Sequence, residues 1–153
     1  MPLHPTTVHF RTGRTAEGPL IWAQLAIWDV FRWLPRHDST LNLLVRCPVP
    51  AGRDLPAVTT ALRHLVERHD SLHTVYVDTP EGPRQRVVGE GDIPLQVHDI
   101  GDRGDLATEE LGEALRRPWF DIGADLPLRA AILTRDGEPV TVLLAASHMA
   151  VEI

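Results

Sequence analysis

Apolar and polar positions follow two rhythms along this chain, and each rhythm predicts a different kind of element. In "GRDLPAVTTALRHLVERHD" the apolar residues Val58, Ala61, Leu62 and Leu65 recur at helical spacing. Asp54 and Pro56 supply the start signal, an N-cap carboxylate followed by a proline just inside the first turn. The same rhythm places Ile21, Leu25 and Trp28 on one face of "LIWAQLAIWDVFRWL", with Trp22 and Phe31 widening it, so these aromatics are expected in the core. A third helix is expected over "LATEELGEALRR", stopped by Pro118. The other rhythm predicts strands. "TVHFRTG" is a short extended piece in a polar lead-in of residues 1–19, and "STLNLLVRCPV" reads as a buried strand closed by Pro48 and Pro50. "LHTVYVD" and "RQRVVG" flank the turn-rich "TPEGP" as a hairpin, and "LQVHDI" follows as a further strand. "LRAAILTRDGEPVTVLLAAS" reads as two strands joined at Asp136-Gly137, the second so continuously apolar that it should be central and covered on both faces. Strands interspersed with three amphipathic helices give an α/β sandwich (α+β) with a mixed sheet and helices packed against it.

Composition narrows the chemistry. At 153 residues one core is expected, and 43% hydrophobic with 24% charged residues is the balance of a folded globular domain. All fifteen basic residues are arginine, which removes lysine Schiff-base chemistry and the lysine of a phosphate-binding Walker loop. A net charge of -6 with scattered arginines argues against a nucleic-acid partner. No apolar stretch is long enough to span a bilayer, and "MPLHPTTVHF" lacks the layout of a signal peptide, so a cytoplasmic location is the expectation. The single cysteine, Cys47, is expected as a buried structural thiol rather than a nucleophile. His69 and His73 stand four apart, but without a third ligand nearby no metal site is expected.

The last residues, "AASHMAVEI", bring a strand expected in the core to a histidine and then an acidic residue. A lone histidine after an apolar strand is ordinarily a satisfied structural residue. Ser147 lacks the pattern of a nucleophile elbow. A charged terminus beside a dry core needs solvation or a covering partner.

Four stretches in order resemble the landmarks of the N-terminal lobe of a nonribosomal peptide synthetase condensation domain. "IWAQLAIW" resembles its opening helix, with Ala23, Gln24 and Trp28 in matching places. "RHDSLHTVY" is similar to its Arg-His-Glu, Leu-Arg-Thr segment through Arg68, His69, Leu72 and Thr74. "RRPWFDIGADLPLRAAIL" matches its Pro-Phe-Asp-Leu and Pro-Leu-Arg segments at Asp121, Pro127, Leu128 and Arg129, and "SHMAVEI" falls where that family carries His-His-x-x-x-Asp-Gly. The resemblance implies a chloramphenicol acetyltransferase-like fold of two lobes, of which residues 1–153 supply the N-terminal one and the second is absent. It implies attack by a carrier-bound amine on a carrier-bound acyl thioester, with no cofactor bound directly and the substrates presented on phosphopantetheine arms. His148 then corresponds to the active-site histidine, and Arg68 and Glu152 to a structural ion pair. Asp121 and Arg129 are expected to stabilise a turn and a strand.

The departures from that pattern are specific. Ser147 stands in place of the first histidine, Glu152 in place of the aspartate, Ile153 in place of the glycine and His73 in place of the second arginine. Three readings follow. In the first, the chain is half of an amide-forming transferase completed by a second lobe, in secondary metabolite biosynthesis. In the second it is a catalytically silent, degenerate or truncated lobe that docks a carrier protein or a synthetase. In the third it is an acyltransferase assembled as a homo-oligomer, a neighbouring subunit covering the site.

Overall fold

The computed structural model describes residues 6–151. In chain order it runs β1 (Thr6–Arg11), β2 (Ala16–Pro19), α1 (Trp22–Trp33), β3 (Asn42–Pro48), α2 (Leu55–Arg68), a 3-10 turn (Asp70–His73), β4 (Thr74–Thr79), β5 (Gly82–Val87), β6 (Glu90–Asp99), α3 (Gly104–Arg116), β7 (Leu128–Arg135) and β8 (Glu138–Ser147). Asp136 and Gly137 both take positive φ, 52° and 81°, the conformation a two-residue turn needs to match the twist of its strands. That turn folds β8 back on β7 in the register Ala131↔Leu143.

Five strands form a mixed sheet in the order β1-β6-β7-β8-β3. Its parallel pair, β6 with β7, is joined through α3; the other three pairs are antiparallel. Alternation along the inner strands sorts the core into two layers. Ala130, Ile132, Val142 and Ala146 face one way and pack with Val58, Leu62 and Val66 of α2 and with Val8 and Phe10 of β1. Ala131, Leu133, Leu143 and Ala145 face the other way and pack with Ala107 and Leu115 of α3. Helices on both faces explain why β8 carries so few polar residues.

Three more strands form a small antiparallel sheet in the order β2-β5-β4. α1 packs here: Leu20, Trp28, Tyr76 and Met149 make a separate buried cluster, with Ile27, Phe31 and Ile122 against it. The mixed-sheet sandwich and the interior position of β8 are as the sequence predicts. Neither the second sheet nor β2, which lies in the stretch read as a polar lead-in, is anticipated.

Four expectations are corrected. β3 is an edge strand, with Leu44 and Val45 exposed, because only β8 pairs with it. Cys47 on that strand is consequently half-buried rather than sealed in the core. On α1 the aromatic face is not uniformly core: Trp28 is buried, but Trp22 is 84% and Trp33 85% exposed, with Ile21 and Leu25 also outward. The helix turns its Gln24–Ile27–Trp28–Phe31 side inward instead. On α2, Ala61 is exposed and Val66 takes the inner position one turn further on.

Candidate active site around His148

β8 ends in the middle of the molecule, between the mixed sheet and the α1 cluster. Its last residue, Ser147, is fully buried opposite Asn42 of β3. The Ser147 N–H donates to the Pro127 carbonyl at 3.0 Å, and the Ser147 carbonyl accepts from the Ala150 N–H at 3.0 Å, which turns the chain away from the sheet. The Ser147 hydroxyl oxygen accepts from the Met149 N–H at 3.3 Å. A small hydroxyl thus does a turn-forming job at a position with no solvent exposure.

His148 follows on that turn. Its backbone N–H donates to the Leu41 carbonyl at 2.8 Å, tying it to the segment that leads into β3. The side chain is half-buried, and its Nδ1 is enclosed without a hydrogen-bond partner among the described residues. Among the described residues no carboxylate is hydrogen-bonded to this ring. Its placement comes from the backbone on either side.

Met149 is buried, and its carbonyl accepts from the Tyr76 hydroxyl at 3.2 Å. Burial pushes the Tyr76 phenol up to about 12, with the Gln24 side chain beside it pulling the other way. Tyr76 therefore stays protonated and donating through the whole neutral range. The sequence reading places Tyr76 in a strand and gives it no function. One signal was available: it is the single tyrosine in the chain, and a buried phenol needs a partner for its hydroxyl.

The remaining candidate residues fall elsewhere. Arg68 is exposed in the last turn of α2, where a positive charge complements the helix terminus. Glu152, its expected partner, lies outside the described residues, as does Ile153. His73 is fully buried; its Nδ1 lies 2.7 Å from the Val88 carbonyl and its Nε2 3.3 Å from Asp70. His69 is exposed at the end of α2, so the two histidines point to different environments. Among the described residues no three histidine, cysteine, aspartate or glutamate side chains converge on one point.

Arg129 and Asp121 act within the fold. An Arg129 guanidinium nitrogen donates to the Pro118 carbonyl at 2.7 Å and the Arg116 carbonyl at 3.3 Å, closing the C-terminal end of α3, while the guanidinium lies 3.8 Å above the Phe120 ring. Asp121 builds the turn before β7: its carbonyl accepts from the Ala124 N–H at 2.9 Å and its carboxylate from the Gly123 N–H at 3.3 Å.

Residues 16–151 match the family described as the condensation domain. The chain belongs to the condensation-domain family. Among curated relatives, this lobe is 28% identical over 131 residues to a "Probable non-canonical nonribosomal peptide synthetase" of Salinispora arenicola, covering 86% of the chain and 2% of that protein. It is 30% identical over 141 residues to an isonitrile lipopeptide synthase of Mycobacterium tuberculosis, covering 88% of the chain and 5% of that protein. Among solved structures it superposes on the starter condensation domain of rhizomide synthetase with a TM-score of 0.73 at 23% identity, over 88% of this chain and 33% of that one. A tallysomycin biosynthesis protein superposes with a TM-score of 0.75 at 17% identity, over 86% of this chain and 33% of that one. The chain thus spans a small fraction of its curated relatives and about a third of the solved structures it resembles. It has the chloramphenicol acetyltransferase-like fold of condensation domains, and its partial coverage of them is consistent with an N-terminal lobe. No helix among the described residues is long and apolar enough to cross a membrane.

Proposed function

We propose that the chain is the His148-bearing half of an amide-forming active site, working with a facing lobe in nonribosomal peptide biosynthesis. The observation that supports this reading is the presentation of His148: the histidine singled out by the motif resemblance is a half-buried side chain whose flanking backbone is held from three directions. With Nδ1 enclosed, Nε2 is the ring nitrogen left to meet a substrate.

The amine of one carrier-bound substrate attacks the thioester carbonyl of another. A C–N bond forms, the C–S bond breaks, and the proton lost by the amine ends on the departing thiol. Nε2 accepts that proton or a hydrogen bond from the amine as the tetrahedral intermediate forms and collapses, a contribution of roughly 10² to 10⁴-fold. Positioning of the two carriers' phosphopantetheine arms against each other requires a second wall, because most of the advantage of bringing two substrates together lies in their orientation. Carrier proteins and the facing lobe are therefore the partners, and phosphopantetheine arrives as part of the substrate.

The test is amide formation by the complete assembly containing this chain, parent against His148→Ala. A loss within the range above, at unchanged melting temperature, supports the reading. Equal rates for mutant and parent remove the histidine from the chemistry. A parent that forms no amide yet still captures loaded carrier protein identifies a docking lobe instead.

A further inference from the structure

We infer that Tyr76 is the positioning residue of the His148 turn, setting the placement of the imidazole through the Met149 carbonyl. The inference rests on the reading of His148 as the active-site side chain.

Both peptide groups that flank Met149 are held. The Met149 N–H donates to the Ser147 hydroxyl at 3.3 Å, an interaction local to the turn. The Met149 carbonyl accepts from the Tyr76 hydroxyl at 3.2 Å, which reaches in from the small sheet, 73 residues away in sequence. Leu41 and Pro127 hold the entry to the turn, and Tyr76 holds its exit. The Tyr76 side chain is 1% and Met149 4% exposed, so water does not stand ready to replace the phenol. Without the hydroxyl, the Met149 carbonyl is a buried acceptor with no donor among the described residues, and the turn gains by moving until it finds one. His148 is the next residue back and moves with it.

Tyr76 is itself firmly placed. Its backbone N–H donates to the Ile122 carbonyl at 2.9 Å, and its ring packs in the cluster with Leu20 and Trp28. The phenol therefore links β4, the α1 helix and the Asp121 turn to the one loop that carries the histidine. Ring and hydroxyl have separable duties: the ring fills the cluster, and the oxygen sets the loop.

Tyr76→Phe keeps the ring and deletes only the oxygen. In protein labelled with ¹⁵N-histidine, with His148→Ala used to assign the signal, Tyr76→Phe is expected to shift or split the His148 ring resonances while those of His73 and His98 stay in place. Amide exchange at His148 and Ala150 should accelerate roughly two- to tenfold, the range expected for loss of one hydrogen bond, with Leu143 and Ala145 unchanged. In the complete assembly Tyr76→Phe should lower kcat and leave KM for the loaded carriers unchanged. Parent-like His148 resonances and exchange rates in Tyr76→Phe, alongside an unfolded Tyr76→Leu, would overturn the inference and leave the ring as mere filling. If His148→Ala proves as active as the parent, that result falls on the catalytic reading alone, and the resonance and exchange measurements still decide whether Tyr76 sets the turn.

Discussion

Burial in β6 lowers the His98 pKa from its ordinary value near 6.5, while on neighbouring β1 hydrogen bonding to Asp92, and then to Glu90, raises that of His9. These two residues pull stability in opposite directions as pH changes. A depressed histidine stabilises fully above its unfolded pKa, and that contribution is lost as pH falls through about 6.5 towards the lower folded value. A raised histidine stabilises fully below about 6.5, and its contribution disappears as pH rises through the higher folded value. His98→Leu should therefore shrink the fall in Tm between pH 7 and pH 5, and His9→Gln should lower Tm at pH 5.5 but match the parent at pH 8.5. An acid-side slope unchanged in His98→Leu would assign that slope to other groups. His9 lies on the surface, so its effect should be small and fade in salt. At this scale the sequence is uneven. His148 is singled out in the sequence by an ordered motif, whereas the partner of Tyr76 is not legible, since the bond spans 73 positions and joins a strand to a loop on no periodic rule.

Elements differ in how much of their logic is local. The Asp54 carboxylate accepts the Ala57 N–H at 2.9 Å and starts α2, and Asp136-Gly137 turns β7 into β8; both signals lie within four residues, so both are readable. The end of α3 is different. Asn42, on β3, donates through Nδ2 to the Arg116 carbonyl at 2.8 Å and the Pro118 carbonyl at 3.0 Å, closing a helix more than seventy residues away. Asn42→Ala should cost about 2 kcal/mol by removing two hydrogen bonds and leaving part-buried carbonyls short of a donor, a fall in Tm of roughly 4–8 °C, with faster amide exchange in the last turn of α3. A melting temperature unaffected by that change would mean that Arg129 suffices alone. The same non-locality explains the misread elements. α1 is apolar on nearly every side, so periodicity does not choose which face turns inward; contact with Tyr76 and Met149 does. β3 is apolar enough to read as buried, and only the strand order makes it an edge.

Across the whole molecule the mixed sheet serves as a scaffold and the small sheet as a brace. β8 carries the histidine out of the core; the small sheet, through Tyr76, reaches across to the turn beyond it. The α/β class and three helices were available from patterning, but the division into two sheets was not, because β2 pairs with β5 across some seventy intervening residues. The order of strands also has a kinetic side. β8 lies between β7 and β3, so during synthesis β3 waits for almost a hundred residues before its neighbour exists. Closing so long a loop makes pairing slow, and meanwhile "LNLLV" stands in the nascent chain as an open template for a wrong partner. A chain cut after Arg135 keeps β3 and β7 but lacks the strand that joins them, and its soluble yield should collapse where the parent's does not. The strand that delivers the histidine is also the last of the mixed sheet to be made, so a ribosome that stalls before β8 leaves an aggregation hazard rather than a partly folded lobe.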